Sequence, residues 1–235
     1  MTTIVVAHGA WSAGWAWKKM HPLLTGRGIR LVTPSYTGIG ERTHLAQRGI
    51  DLDQHIEDLT QVFEYEDLSD IVLVAHSYGG MVGTGVLHRV PDRIREIIYL
   101  DAFVPESGQS LFDLVGTEAA ARWRVAAAEQ GDGWRLAANP LPPDTAPEDV
   151  EWIAPRRGAQ PMGTFEQALT FKGTTDHRRS YIYCLRTGPT DPFGPFASRA
   201  KSNKAWRYRE IDASHSPHIT APDAFADLLV ELIAS

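Results

Sequence analysis

A serine stands at the junction between a predicted strand and a predicted helix. The apolar run Ile71–Ala75 is typical of a buried strand, and Tyr78–Val90, rich in small residues, is typical of a helix. The order Ala75-x-Ser77-x-Gly79 resembles the Gly-x-Ser-x-Gly turn that exposes a nucleophilic hydroxyl. Ala75 stands in place of the first glycine of this motif and adds one methyl group, which a tight corner can accept. We therefore predict that Ser77 is a nucleophile.

The helix after this corner would also stabilise negative charge. Free N–H groups and the helix dipole at a helix N-terminus favour an oxyanion. The backbone N–H of Tyr78, the residue after the candidate nucleophile, is therefore an expected oxyanion-hole donor.

A serine hydroxyl needs a base to take its proton. Of the nine histidines, His215 and His218 lie between the last predicted strand and the last predicted helix, where such a base is required. Position favours His215, which follows the strand more closely, and leaves His218 as an alternative or a pocket-lining residue. His8 and His76 flank the expected oxyanion elements and are expected to orient loops.

A carboxylate should hold the base in its working tautomer, in the chain order Ser, acid, His. Asp191 is the only carboxylate in the loop after the predicted strand Tyr181–Leu185, and we favour it. Asp101, at the end of the preceding strand, is the rival, because active sites gather at the carboxyl ends of parallel strands. Asp212 is too close in sequence to His215 to be favoured.

The elements that would position these residues alternate between short apolar runs and amphipathic patterns. This alternation predicts an α/β fold with a mostly parallel sheet and helices on both faces. The predicted strands are Ile4–Ala7, Ile29–Thr33, Ile71–Ala75, Ile97–Leu100, Tyr181–Leu185 and Trp206–Ile211, the last an edge strand. Predicted helices include Asp53–Tyr65, capped by Asp53, and a C-terminal helix that begins near Pro222.

The alternation breaks between residues 103 and 175. This stretch has aromatic residues, a proline-rich segment and a helix predicted near Glu118–Gln130. Since a structureless loop of this length is unusual in a compact domain, we predict a helical cap at 103–175 inserted into a core of 1–102 and 176–235. Aromatic side chains of the cap would line an apolar pocket.

Composition limits the classes of function. The chain has 235 residues, a net charge of −6 and a single cysteine, Cys184. An intrachain disulfide and a multi-cysteine metal site are excluded, and the acidic balance argues against a nucleic-acid partner. No signal sequence or membrane span is evident, so we expect a cytoplasmic protein without a membrane partner.

The chain resembles the α/β-hydrolase superfamily, in particular plant methylesterases and hydroxynitrile lyases and their bacterial relatives, the pyrethroid-hydrolase-like carboxylesterases. The opening motif His8–Trp17 carries this resemblance, together with Thr37–Arg42, Ala75–Met81, Tyr99–Pro105 and His215–Pro222. The match is weakest in the cap. It implies an α/β-hydrolase fold with a helical cap.

The resemblance also implies individual roles. The N–H of Ala10 would be the second oxyanion donor beside that of Tyr78. His215 would be the base, because the histidine of the family stands the same distance before its proline, here Pro222. Asp191 would be the acid, although its loop aligns only with gaps, which keeps Asp101 in consideration.

Three positions depart from the hydroxynitrile lyases of this family. Those enzymes have Thr, Glu and Lys where this chain has Trp11, Tyr78 and Ser216. Without the lysine that stabilises a departing cyanide, cyanohydrin cleavage is not expected.

The resulting expectation is a serine esterase without a cofactor or metal, acting on a small hydrophobic or aromatic carboxylic ester through an acyl-enzyme intermediate. The pocket would include Trp11, His218, Trp123 and Trp152. Lactone or thioester hydrolysis and lyase chemistry on the same scaffold are alternatives, and a non-catalytic ligand-binding protein is the alternative of another class. The expected partner is a small-molecule ester, and a homodimer is left open.

Overall fold

A parallel β-sheet forms the centre of the computed structural model, which describes residues 1–188 and 190–234. The strands within these residues are β1 (Thr2–Ala7), β2 (Ile29–Val32), β3 (Ile71–His76), β4 (Ile94–Leu100), β5 (Arg135–Leu136), β6 (Gln160–Pro161), β7 (Arg178–Cys184) and β8 (Trp206–Ile211). Six of them form one sheet in the order β2-β1-β3-β4-β7-β8, and every neighbouring pair in it is parallel. The predicted fold class is confirmed.

Helices cover both faces of this sheet. Those described are α1 (Met20–Thr25), α2 (Leu52–Tyr65), α3 (Gly79–Arg89), α4 (Leu111–Val115), α5 (Thr117–Gln130), α6 (Pro147–Ile153), α7 (Gly163–Glu166), α8 (Gly194–Ser202), α9 (Pro217–Thr220) and α10 (Pro222–Ala234). The cap of α2 is Asp51, whose side chain accepts a hydrogen bond from the N–H of Gln54 at 3.0 Å. The predicted cap, Asp53, was wrong by two residues and lies in the first turn.

The two faces of the sheet bury separate apolar layers. Successive side chains of a strand point to opposite faces, so Leu73 of β3 packs in the layer with α2, α3 and α8, whereas Val72 and Val74 pack with α1 and α10. All six residues of β3 are buried, as expected for a central strand covered on both sides. β8 lies at the sheet edge, as its alternating sequence predicts.

β4 begins three residues before the predicted start at Ile97. The apolar pattern does not indicate the first three residues of the strand, because Glu96 interrupts the apolar run. Its carboxylate is fully buried within the strand and pairs with the guanidinium of Arg207. A paired carboxylate can occupy a buried strand position that the pattern reserves for apolar residues.

The segment between β4 and β7 lies next to the carboxyl ends of the strands. It contains α4 to α7 and the antiparallel pair β5 and β6. The helix α5 lies where a helix was predicted. The division of the chain at residues 103 and 175 stays a prediction.

No helix among the described residues is both long and apolar enough to cross a bilayer.

Candidate active site

Ser77 occupies a strained corner between β3 and α3. Its φ is +56°, in the left-handed region that a residue with a Cβ rarely adopts. Hydrogen bonds hold this conformation, because the Ser77 carbonyl oxygen accepts from the N–H groups of Gly80 at 3.0 Å and Phe103 at 3.2 Å. The Ser77 N–H donates to the carbonyl of Leu100 at 3.3 Å. Such strain persists only where the surrounding structure imposes it, and it is common at functional sites.

Close backbone approaches explain the small residues around the corner. A Cβ on Gly79 would lie 2.0 Å from the carbonyl oxygen of Ala7, and one on Gly80 would lie 1.9 Å from that of Phe103. Neither carbonyl can yield easily, so both positions require glycine. Ala75 is tolerated because it faces Gly83, where a Cβ would lie only 2.9 Å from the Ala75 methyl group.

His215 is held by Asp101. The Asp101 Oδ2 atom lies 2.6 Å from His215 Nδ1. Asp101 follows β4, is 4% exposed and has a φ of +42°, and its other oxygen accepts the N–H of Cys184 at 3.3 Å. The ring of Phe193 stacks on the imidazole, with a centroid distance of 4.7 Å. A neutral imidazole that donates from Nδ1 to the carboxylate keeps Nε2 free as an acceptor.

Asp191, the favoured acid, is engaged elsewhere. Its carboxylate accepts the Tyr183 hydroxyl at 2.6 Å and the N–H groups of Phe193 at 3.1 Å and Gly194 at 2.9 Å. These contacts tie the loop to the start of α8, and the carboxylate raises the pKa of Tyr183. The preference for Asp191 is therefore corrected: the structure places the rival, Asp101, against His215.

His218 has a different environment from His215. It is 1% exposed and stacks on Trp17 with a centroid distance of 4.4 Å. Burial lowers its pKa to about 3, so it stays neutral at pH 7. Its Nδ1 atom has no hydrogen-bond partner among the described residues. Of the two histidines that the sequence left open, only His215 contacts a carboxylate.

The two expected oxyanion donors lie in the wall of the same cavity as Ser77. Ala10 and Tyr78 both line it, and neither backbone N–H donates to another group within residues 1–188 and 190–234. The Tyr78 ring points away into the core, where its hydroxyl lies 2.9 Å from His55 Nδ1. Burial lowers the pKa of His55 to about 3.

The loop that carries Ala10 is anchored to the inserted segment through Trp11. The Trp11 N–H donates to the Gln160 side chain at 3.2 Å, and the indole N–H donates to the carbonyl of Leu136 at 2.9 Å. Leu136 belongs to β5 and Gln160 to β6. Trp11 has a φ of +55°, a costly conformation for a bulky residue, which these contacts help to maintain.

His8 and His76 are buried beside the serine and orient neighbouring loops. His8 Nδ1 donates to the carbonyl of Gly9 at 2.9 Å, and burial lowers the pKa of His8 to about 4. His76 Nε2 donates to the backbone carbonyl of His215 at 2.7 Å. Burial places the pKa of His76 well below its ordinary value, so this donor is neutral. His76, which precedes Ser77, thus supports the loop that carries His215.

Ser77 and His215 line one cavity of about 1010 Å³. Within the described residues, their side chains do not form a hydrogen bond with each other, and catalytic hydrogen bonds are often long before substrate binds. Of the predicted pocket residues, Trp11, His218 and Trp123 line this cavity. Trp152 does not line the cavity. It packs edge-to-face on Trp15, with a centroid distance of 5.4 Å, and Trp15 is the residue that lines the cavity.

Several further lining residues were not predicted individually, although Phe103 and Phe165 belong to the aromatic residues of 103–175 that were expected at the pocket. They are mostly apolar or aromatic and come from separate parts of the chain: Trp15, Phe103, Leu111, Val115, Leu141, Ile153, Phe165 and Phe193. Only the folded arrangement brings them together. Three arginines also reach the cavity: Arg122, Arg157 and Arg186.

The described residues contain no group of three or more His, Cys, Asp or Glu side chains arranged to hold a metal ion.

Comparison with known proteins places the chain among hydrolases. The alpha/beta hydrolase family matches residues 4–228. The carbendazim hydrolyzing esterase of Nocardioides sp. (strain SG-4G) is 33% identical, over 99% of this chain and 100% of that protein. Salicylic acid-binding protein 2 of Nicotiana tabacum is also 33% identical, but over only 44% of this chain and 40% of the relative.

Solved structures agree in fold. An extracellular alpha/beta-hydrolase from a Paenibacillus species has a TM-score of 0.84 at 24% identity and covers 98% of both chains. A pyrethroid hydrolase from Sphingobium faniae JZ-2 has a TM-score of 0.71 at 22% identity, with 100% of this chain and 98% of the other covered. With these matches along its length, the chain belongs to the alpha/beta hydrolase family and lies on its esterase branch, among carboxylic ester hydrolases.

Proposed function

We propose that this protein cleaves small carboxylic esters by serine acyl transfer, with Ser77 as nucleophile, His215 as base and Asp101 as acid. The observation that carries the proposal is the arrangement of the cavity. The strained corner presents Ser77 to the same space as an imidazole whose Nδ1 is held by a buried carboxylate.

The first step forms an acyl-enzyme. The Ser77 hydroxyl oxygen attacks the ester carbonyl carbon while Nε2 of His215 takes its proton. Asp101 holds the Nδ1–H and stabilises the imidazolium without itself being protonated. Collapse of the tetrahedral intermediate breaks the bond to the alkoxy group, which leaves as an alcohol with the proton from His215.

The second step hydrolyses the acyl-enzyme. Water adds to the acyl carbonyl as His215 takes its proton. The bond to the Ser77 oxygen then breaks, His215 returns the proton to that oxygen, and a carboxylic acid is released. In both steps the N–H groups of Ala10 and Tyr78 would bind the oxyanion. Loss of one such donor costs about 3–4 kcal/mol in a known case.

An aromatic or otherwise apolar ester fits the lining of the cavity. Trp11, Trp15, Trp123, Phe103 and Phe165 contribute large apolar surfaces, which is typical of a site for a mostly apolar ligand. Relatives named for carbendazim hydrolysis and for methyl ester cleavage agree with this class of substrate. Carbendazim and methyl esters of aromatic acids are therefore the first compounds to test.

Hydroxynitrile-lyase chemistry has less support. Trp11, Tyr78 and Ser216 line the cavity at the positions that differ from the lyases, and none supplies an ammonium group for a cyanide. Lactone or thioester hydrolysis would use the same residues and differs only in the substrate. A cytoplasmic location and the absence of nucleic-acid and membrane partners stay predictions, and a homodimer stays open.

The decisive experiment compares Ser77→Ala with wild type on a panel of aryl and methyl esters, carbendazim, lactones and cyanohydrins. We expect the variant to lose roughly 10⁵–10⁶ in kcat, as in other serine hydrolases. Ser202→Ala, on α8, removes a hydroxyl that donates to the backbone carbonyl of Arg199 and serves as the matched control.

A fluorophosphonate probe followed by mass spectrometry provides a second measurement. Wild type should be labelled at Ser77, and Ser77→Ala should not be labelled. A folded Ser77→Ala variant that retains more than a tenth of the activity would refute the nucleophile. Absence of labelling and turnover in wild type would favour a ligand-binding protein.

A further inference from the structure

Arg157 lies in the wall of the cavity that contains Ser77 and His215. Its side chain is partly buried, and one guanidinium nitrogen donates to the backbone carbonyl of Asn139. Among residues 1–188 and 190–234, no carboxylate lies within ion-pairing distance of this guanidinium. The cation is therefore partly desolvated, and the described residues supply no carboxylate as its counter-charge.

The other two arginines at the cavity differ in this respect. Arg122 pairs with Glu118 at 2.6 Å. Arg186 pairs with Asp212 at 2.9 Å and with Asp144 at 3.4 Å. Carboxylates therefore balance the charges of Arg122 and Arg186, whereas no carboxylate in the described part of the chain pairs with Arg157.

The carboxylates of the cavity wall do not compensate Arg157 either. Asp101 is bonded to His215, and Asp144 is paired with Arg186. Asp191 accepts the Tyr183 hydroxyl and two backbone N–H groups. Each anion that faces the cavity has a partner other than Arg157.

An unpaired charge in a largely apolar wall is unfavourable, and an acceptor on a ligand would offset that cost. Desolvation lowers the pKa of Arg157, but a guanidinium remains charged at neutral pH. Its planar set of donors matches a carboxylate with two parallel hydrogen bonds. The chemistry of the side chain therefore favours an anionic, planar acceptor over an apolar group.

We propose that Arg157 forms a carboxylate-binding subsite, so that the preferred substrates are half-esters: apolar or aromatic esters that carry a second, free carboxylate. This proposal rests on the proposed esterase function and specifies its substrate class. Arg157 acts on binding and specificity and takes no part in proton transfer.

The test compares two substrates of similar shape, methyl 4-carboxybenzoate and methyl 4-methylbenzoate, with 3-substituted isomers to vary the position of the charge. The measured quantity is the ratio of kcat/KM for the carboxylate to that for the methyl compound. We expect Arg157→Met to lower this ratio roughly 10- to 100-fold, mainly through KM, as for the loss of a charged hydrogen bond. Arg157→Lys should lower it less, because the charge remains.

Arg156→Met is the matched control. Arg156 is the neighbouring residue, is exposed, and its guanidinium packs over Trp152 outside the cavity lining. It should leave the ratio unchanged, which separates a local contact from a general change in positive charge. An unchanged ratio in Arg157→Met for both isomers would overturn the proposal.

Binding without turnover separates this proposal from the proposed catalytic function. Calorimetry on Ser77→Ala with terephthalate should show binding that Arg157→Met weakens roughly 10- to 100-fold in the same background. Equal affinity in both proteins would refute the subsite, whatever the activity of the wild type. Conversely, Arg157-dependent binding with no loss of hydrolysis in Ser77→Ala would refute the nucleophile and leave the subsite intact.

Discussion

The Oδ2 atom of Asp101 lies 2.6 Å from Nδ1 of His215, although 114 residues separate them in sequence. The parallel arrangement of β4, β7 and β8 accounts for this distance. Asp101 follows β4 and His215 follows β8, so both stand at the carboxyl end of the same sheet, with β7 between the two strands. The backbone of Asp101 is also fixed to β7, since its N–H donates to Ile182 at 2.8 Å.

The identity of the acid can be tested with two matched amide substitutions. Asp101→Asn should lower kcat about 10⁴-fold, because an amide at this position favours the wrong tautomer of His215. Asp191→Asn should lower kcat less than tenfold and act mainly on stability, since Asp191 bonds to the start of α8. Steady-state kinetics and thermal unfolding of both variants provide the comparison. The reverse order of activities would restore Asp191 as the acid.

The His76–His215 contact predicts a positioning effect. His76→Gln retains an N–H donor near the position of Nε2, whereas His76→Met removes it. Loss of the 2.7 Å bond to the His215 carbonyl should lower kcat roughly tenfold in the Met variant, with little change in KM. The Gln variant should recover most of the loss. Equal kcat values for the two variants, both folded, would show that the hydrogen bond does not matter.

The close approach at Gly79 predicts a steric defect. In Gly79→Ala the new methyl group would lie 2.0 Å from the carbonyl oxygen of Ala7, so the corner must move. We expect a loss of about 3 kcal/mol or more in the free energy of unfolding, and loss of activity. Gly158→Ala is the control, since no atom lies within 4 Å of its added Cβ. Denaturant unfolding of the two variants should differ accordingly, and equal stability would contradict the described packing.

The buried histidines predict a loss of stability in mild acid. Burial lowers the pKa of His8 to about 4 and those of His55 and His218 to about 3, from 6.5. Below pH 6.5 the unfolded chain therefore binds protons that the folded chain does not. The contribution of these histidines to the free energy of unfolding is complete above pH 6.5. Below that pH it falls by about 1.4 kcal/mol per histidine for each pH unit, until the pH reaches the pKa of the histidine in the folded protein.

Denaturant titrations between pH 6.5 and 5 can measure this slope. His218→Phe, which can retain the stacking on Trp17, should reduce the slope by about one proton. Gln47→Ala, an exposed position without a titratable group, is the control and should leave the slope unchanged. A slope that is the same in His218→Phe and wild type would show that His218 is not buried in its neutral form.

The sequence predicts best those structural features that depend on residues adjacent in the chain. The corner at Ser77 could be recognised because an apolar strand, small residues and a helix follow one another within a short segment. The carboxylate that contacts His215 could not be chosen in this way. Asp191 and Asp101 both follow strands and both precede His215, and only the folded distance to the imidazole distinguishes them.

The pocket shows the same limit. Trp15 and Trp152 are equally suitable by residue type to line an apolar pocket. In the structure Trp15 lines the cavity, whereas Trp152 packs edge-to-face against the Trp15 ring. Trp15 lies in the turn Gly14–Trp17 and Trp152 lies in α6. Which ring faces the cavity depends on how these distant segments pack together, and no local pattern records that packing. The same applies to Arg157: that it has no carboxylate partner within 1–188 and 190–234 becomes apparent only when its neighbours in space are known.

The two hydrogen bonds of Trp11 have a consequence for substrate entry. Ala10 precedes Trp11 directly, and Trp11 is fastened to β5 and β6 through Leu136 and Gln160. Any displacement of that small sheet would therefore be transmitted to the N–H of Ala10, which we propose donates to the oxyanion. Substrates that enter without displacing β5 and β6 would meet a preformed electrostatic environment. Bulkier substrates would have to displace these two strands before reaction could begin.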